Sequence, residues 1–310
     1  MNMKPNSMLM ILQTLLLFSL MLIACGDSVL STQELMASPI PQGTILYTMT
    51  PQPPLEPTKT SLITPPPTIS VDIVTTPSKD TPAKLKEWLD TNSNCRLPCW
   101  WGIAPGITTW NLTIDTFTPY ASMISQRGNP NRYIGEFNFF DVLPDSSTGV
   151  GINISILFIN DIAQEIEVYG FKGSSLYYLP KFLLSFGPPS EVWLHTYSSY
   201  LGRTPPVDIN LFYPEQGILA RYSTLLDEID QNEDRAVICL DDDPALYLWY
   251  PNEMTTFEQA DDHFRLGYKQ YSKPILPLYK ATEISIEQLY NQRTNERICI
   301  TTKLSLWPEP

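Results

Sequence analysis

Between Ser38 and Pro82 the chain carries 11 of its 29 prolines and 10 threonines, as in TPQPPLEPTKTSLITPPPTIS at 50–70. Each proline fixes its φ and removes a backbone donor, so a stretch this dense completes neither a helix nor a sheet ladder. The pattern reads as an extended, semi-rigid stalk that builds no core of its own. It confines the folded part of the 310-residue chain to residues 83–310. That length suits one large or two small domains, at roughly 100–200 residues each.

Ahead of the stalk, MNMKPNSMLMILQTLLLFSLMLIACGDS places one cation, Lys4, before an apolar run from Met8 to Ile23. This is the layout of a secretory signal. The run is broken by Gln13, Thr14 and Ser19 and falls short of the ~20 apolar residues of a spanning helix. Its end, Leu22-Ile23-Ala24-Cys25, resembles the lipobox of bacterial lipoproteins. The resemblance implies cleavage after Ala24, a diacylglycerol on the Cys25 thiol, and acylation of the new N-terminus with a chain such as palmitate. The plainer alternatives are an uncleaved anchor or an ordinary signal peptide with a chance cysteine. On the lipoprotein reading, residues 1–24 are signal peptide and 25–82 are acylated N-terminus and stalk. The head is then extracytoplasmic, held at a bacterial membrane by two or three acyl chains, since one chain binds only marginally. Gly26, not Asp, follows the cysteine, which by enterobacterial sorting logic disfavours inner-membrane retention; the leaflet stays open.

Net charge is −13, and loss of Lys4 with the signal makes it −14. That sign argues against nucleic acid and against electrostatic attachment to anionic lipid. Four cysteines remain beyond Cys25, namely Cys95, Cys99, Cys239 and Cys299. An even number outside the cytoplasm implies disulfides, and four cysteines allow three pairings. Proximity favours Cys95–Cys99 with Cys239–Cys299. On the chain-entropy scale the first closes a small ring worth about 2 kcal/mol, and the second a loop of about 61 residues worth roughly 4 kcal/mol. Redox chemistry of the thioredoxin kind uses Cys-x-x-Cys, one residue shorter than the spacing in CRLPC. Zinc needs further ligands, and neither histidine, His195 or His263, lies near in sequence.

Past residue 83 the pattern is α+β, helices packed on antiparallel β-meanders. TPAKLKEWLDTN predicts a helix capped by Thr81, with Leu85, Trp88 and Leu89 as its apolar stripe. GITTWNLTIDTFTPYASMISQRG predicts a second, with Ile114, Phe117, Ala121 and Ile124 at helical spacing and a kink or early end at Pro119. Strands follow in RYIGEFNFF, VGINISILFIND and IAQEIEVYG, the last two joined by an Asn160-Asp161 turn. A helix with Leu176, Leu179, Phe182 and Leu183 then stops at Gly187. Further strands run through Val192 and Leu194, VDINLFY, GILARYS, RAVICL and ALYLWY, with a Pro214–Gly217 turn in the middle hairpin. Capping-box patterns predict helices at Thr255–Phe264 and Ser285–Asn291. Helix followed by meander, twice, suggests two similar halves, 83–171 and 172–310.

Two further likenesses attach to particular motifs. CRLPCWWGIAPGIT at 95–108 resembles a segment of uncharacterised lipoproteins of environmental bacteria, in which Pro-Cys-Trp-Trp-Gly-Ile precedes a Pro-Gly-x-Thr helix start. More loosely, PGIT and the helix ending FGPPSEV resemble the helix-plus-sheet unit of outer-membrane assembly lipoproteins and β-lactamase-inhibitor proteins. Phe186 stands where that unit has leucine, and the two turns are about 80 residues apart, so they do not belong to one unit. That fold carries no active site and implies binding, by analogy alone.

No Gly-x-Ser-x-Gly, His-Glu-x-x-His or phosphate-cradling glycine loop occurs. The expectation is therefore a protein that is not an enzyme and holds neither cofactor nor metal. Asp241, Asp242 and Asp243 lack calcium-loop spacing and read as a solvated turn, as His263 reads as a solvated helix residue. Seven tryptophans and sixteen tyrosines raise a glycan-stacking face, with Trp100, Trp101, Tyr247 and Trp249 as its candidates; core packing competes for the same side chains. The leading function is a lipid-anchored binding or envelope-support protein. A glycan- or solute-binding surface module is the alternative, and a hydrolase, third, would need a pocket with two carboxylates about 5–9 Å apart.

Overall fold

A computed structural model describes residues 69–140, 151–171, 176–196, 206–240, 243–266 and 275–306. The architecture is mainly sheet, with helices. Twelve strands, all paired antiparallel, form one sheet in the order β1-β2-β3-β4-β5-β10-β8-β7-β6-β11, and β9 and β12 branch from β8. In chain order the strands are β1 Ile69–Val74, β2 Met123–Asn129, β3 Arg132–Phe139, β4 Ile152–Ile159, β5 Ile162–Tyr169 and β6 Glu191–Thr196. The rest are β7 Pro206–Tyr213, β8 Ile218–Asp230, β9 Arg235–Leu240, β10 Ala245–Trp249, β11 Ile275–Pro277 and β12 Ile298–Lys303. The helices are α1 Thr81–Thr91, α2 Trp110–Phe117, α3 Leu179–Phe186, α4 Phe257–Phe264, α5 Leu278–Thr282 and α6 Ile286–Asn291. Among the described residues no helix is long and apolar enough to cross a membrane.

Three expectations change here. Ile69–Val74 falls in the segment assigned to a stalk, yet it pairs along its whole length with β2; the folded part thus takes in these six residues. The second predicted helix ends at Phe117, two residues before Pro119, and Ile124 lies in β2. Spacings of four and three residues from Phe117 fit a helix, but proline removes the donor that the next turn needs. Two similar halves are not shown. The first half contributes a simple meander, whereas in the second β10 inserts beside β5 and so fuses both into one sheet.

The remaining local predictions follow turn chemistry. Asn160 and Asp161 both adopt positive φ between β4 and β5, as a primed hairpin turn requires. Gly217 closes the turn between β7 and β8 at φ 65°, where an added Cβ would sit 2.1 Å from the Trp249 carbonyl; no other residue fits there. Thr109, Thr256 and Ser285 cap α2, α4 and α6 with their side chains. At α4 the cap is Thr256 with Gln259, not Thr255 with Glu258. At α1 the cap position falls to Asp80, and Thr81 is buried one residue inside.

Strand alternation sorts the sheet into two faces. Ile154, Ile156, Ile166, Val168, Leu246, Leu248 and Ala220 point to one side, where α1, α2 and α3 cover them in a single core. On the other side α4 covers only Phe212, Leu219, Tyr247 and Trp249. That coverage stops at β10, and over β2–β5 the second face stays open.

Candidate functional site

The tryptophans expected at a ligand face are interior. Trp100 and Trp101 are 0% and 1% exposed, their rings 5.1 Å apart and stacked, with Trp88 against Trp101 and Tyr177 against Trp100. Tyr247 and Trp249 do share a face, as alternation requires, but α4 lies over it and leaves them 6% and 0% exposed. The physical reason is area: burying an aromatic side chain removes about 150–250 Å² from water. At ~25 cal/mol per Å² that is roughly 4–6 kcal/mol, more than a lone surface stacking contact returns.

The cysteines pair as proximity suggested, Cys95 with Cys99 and Cys239 with Cys299, at disulfide distance. Asn92 fills the small ring. Its Nδ2 donates to the Cys95 and Cys99 carbonyls at 2.8 Å each, and its Oδ1 accepts from Trp101 N at 3.0 Å. The CRLPC segment therefore works as a pin that turns both indoles inward. Cys239 and Cys299 stand directly opposite each other across β9 and β12. Cys25 and the carboxylates Asp241 and Asp242 lie outside the described residues. Among those described, no group of three His, Cys, Asp or Glu side chains is placed to hold a metal ion.

His195 is buried in β6 opposite Asp208 of β7, and Asp208 Oδ1 accepts from Ser223 Oγ at 2.6 Å. The carboxylate of Asp208 thus accepts the Ser223 hydroxyl, with His195 opposite it in the ladder. His263, expected as a solvated helix residue, instead sets Nε2 2.6 Å from Glu165 Oε1 and ties the end of α4 to the open face of β5.

That contact forms one wall of a cleft of about 610 Å³ between α4 and the open face of β2–β5. Register explains its composition. Arg127, Ile134, Leu157 and Glu165 are successive partners across β2, β3, β4 and β5, one row on one face. The next row runs Ser125, Glu136, Ser155, Glu167 and Tyr247. The row that crosses the cleft is basic at its β2 end, apolar in the middle and acidic at its β5 end. Arg132 and Arg265 join Arg127 in the lining.

Glu167 carries the main electrostatic signature of the site. Its carboxyl is pushed above the usual range by burial and then by the charge of Glu165, with Arg221 and His263 pulling the other way. Tyr169, two residues on and 46% exposed, is raised by burial and by the nearby charges of Glu167 and Glu136. Tyr247 is pushed up to about 12, mainly by burial. Glu136 accepts from Ser125 Oγ at 2.8 Å and lies 3.8 Å from Arg127 Nη2. Acids crowd one end of the floor, and a cationic group placed there would relieve them.

Of the cleft residues the sequence singles out His263, and only as a solvated helix residue; the arginines and glutamates are not singled out. Glu165, Glu167 and Tyr169 alternate with Ile166 and Val168, which marks a strand with one polar face. Nothing in that alternation says the face stays uncovered. Arg127 sat inside the predicted helix that proved to be β2. Comparison with protein-family profiles, curated proteins and solved structures finds no match to this chain, so the cleft is read from its own geometry.

Proposed function

We propose that this is a lipid-anchored extracytoplasmic binding protein whose head takes a small polar solute or glycan segment into the cleft beside α4. One observation carries the reading. A single large sheet has its second face covered over only part of its width, and the uncovered part is a walled cleft with charged groups of both signs converging on an apolar floor. Concave sites with a few placed polar groups are where ligands bind. The anchor rests on the Leu22-Ile23-Ala24-Cys25 sequence, and the two cysteine pairs are in keeping with an oxidising compartment.

The test uses the full chain in its host membrane and after detergent extraction. Replacing Cys25→Ala should release the protein from the membrane fraction and remove the lipid mass. Thermal unfolding with a panel of oligosaccharides, amino acids and short peptides should rise by several degrees for at least one probe. Arg127→Ala with Arg132→Ala should cancel that rise without lowering the melting temperature of the free protein. No shift with any probe at millimolar concentration sinks the binding reading.

A second reading has one observation behind it. Glu165 and Glu167 lie on one face of β5, their Cα atoms about 7 Å apart by strand rise, and burial raises the Glu167 carboxyl above its usual range. An acid and a carboxylate so placed are the parts of glycoside hydrolysis. Release of a reducing sugar from any oligosaccharide that binds would move the protein to that class.

A further inference from the structure

The charge layout of the cleft goes beyond binding as such and says what kind of ligand enters. We infer that the cleft recognises a dipolar ligand, one that carries an ammonium and a carboxylate on a partly apolar body, as a free amino acid or short peptide does. This rests on the binding reading above.

Arg127 and Arg132 stand at the β2–β3 end of the cleft although the chain as a whole is at −13, and Asp262 and Arg265 enter the lining from the end of α4. Arg127 has only a distant partner, Glu136 at 3.8 Å, and Arg132 and Arg265 make no ion pair among the described residues. Like charges collected without counter-charges repel one another unless an anion joins them. Guanidinium groups are the side chains suited to grip a carboxylate in a planar, two-bond geometry. At the other end stand Glu165 and Glu167, with His263 on Glu165. Burial, and then the neighbouring Glu165 charge, hold the Glu167 carboxyl above its usual range, and an ammonium group entering there would meet two acidic side chains and favour their ionised form.

The span agrees with this. Arg127 and Glu165 are three strand spacings apart in the same row, about 14 Å between Cα atoms. Both side chains stand on one face of that row, so a ligand with separated charges can lie along it from one end to the other. Ile134, 41% exposed, and Leu157 lie between them and present an apolar floor to whatever joins the two charges.

The test is a set of calorimetric titrations of the full chain in detergent with four probes. They are leucyl-alanine with free termini, its N-acetylated form, its C-amidated form, and the neutral disaccharide cellobiose; 6-aminohexanoate extends the set to a longer charge separation. The free dipeptide or 6-aminohexanoate should bind at least tenfold more tightly than either blocked dipeptide. Arg127→Ala with Arg132→Ala should erase the discrimination against the amidated form. Glu165→Gln with Glu167→Gln should erase that against the acetylated form, and each double variant should keep the other preference, which also shows that it is folded. Equal affinity for free and blocked forms, or binding of cellobiose with no response to either zwitterion, overturns the inference and leaves the cleft as a binding site. Silence from every probe removes both.

Discussion

Asn92 shows how much one side chain can hold in place. It is 2% exposed, and its amide meets three backbone groups. Asn92→Ala removes these three hydrogen bonds, two at half-buried carbonyls and one at the buried Trp101 N–H, at a cost of about 3 kcal/mol by denaturant titration. Asn92→Asp should do no better, since a carboxylate would face the Cys95 and Cys99 carbonyl oxygens with nothing to donate. Glu167 gives a prediction of a different kind. An acid whose folded-state pKa is raised contributes stability below its unfolded value, here 4.5, and loses it as pH climbs through the folded value. Wild type should therefore lose stability relative to Glu167→Gln as pH rises above 4.5, and melts of the pair at two pH values, one on each side of it, measure the loss. A fixed difference between wild type and variant at both pH values refutes the assignment. The two residues also differ in how they could be foreseen. The polar side of β5 is written in its alternation, whereas no local pattern announces that Asn92 will end up inside a cysteine ring.

Elements were readable where their own residues decide them. The Asn160-Asp161 turn, the stop at Gly187 and the Ser285 cap depend on neighbours within a few residues, and each lies where the pattern puts it. Elements that depend on a distant partner were not. β1 sits in proline- and threonine-rich surroundings, with Val71, Ile73 and Val74 all exposed; only pairing with β2, some fifty residues on, makes it a strand. β12 has clean alternation, with Ile298, Ile300 and Thr302 inward, but its partner β9 lies 60 residues away across the disulfide. That bridge closes the same loop as the six-pair β9–β12 ladder, across its second rung. Cys239→Ala with Cys299→Ala should lower stability by about 2–4 kcal/mol, read as a shift in denaturation midpoint that reductant reproduces in wild type. No shift would mean that the β9–β12 ladder holds alone.

At the scale of the molecule, the candidate aromatic face gives way to the competing reading, core packing: both faces of the sheet draw on the largest apolar side chains where they are covered. What is left for recognition is the polar remainder, the rows of arginine, glutamate and serine that α4 meets only at its His263 end. Composition counted the tryptophans correctly but could not say which face would run short of cover.

The open edge of the sheet has a mechanical consequence. β1 is the first described strand, it grips only β2, and Ile69 pairs with Gly128 beside Arg127. On the proposed lipid-anchored reading, tension arriving through the stalk would therefore meet a ladder six residues long, and peeling would begin at Ile69, opposite Gly128 in the cleft lining.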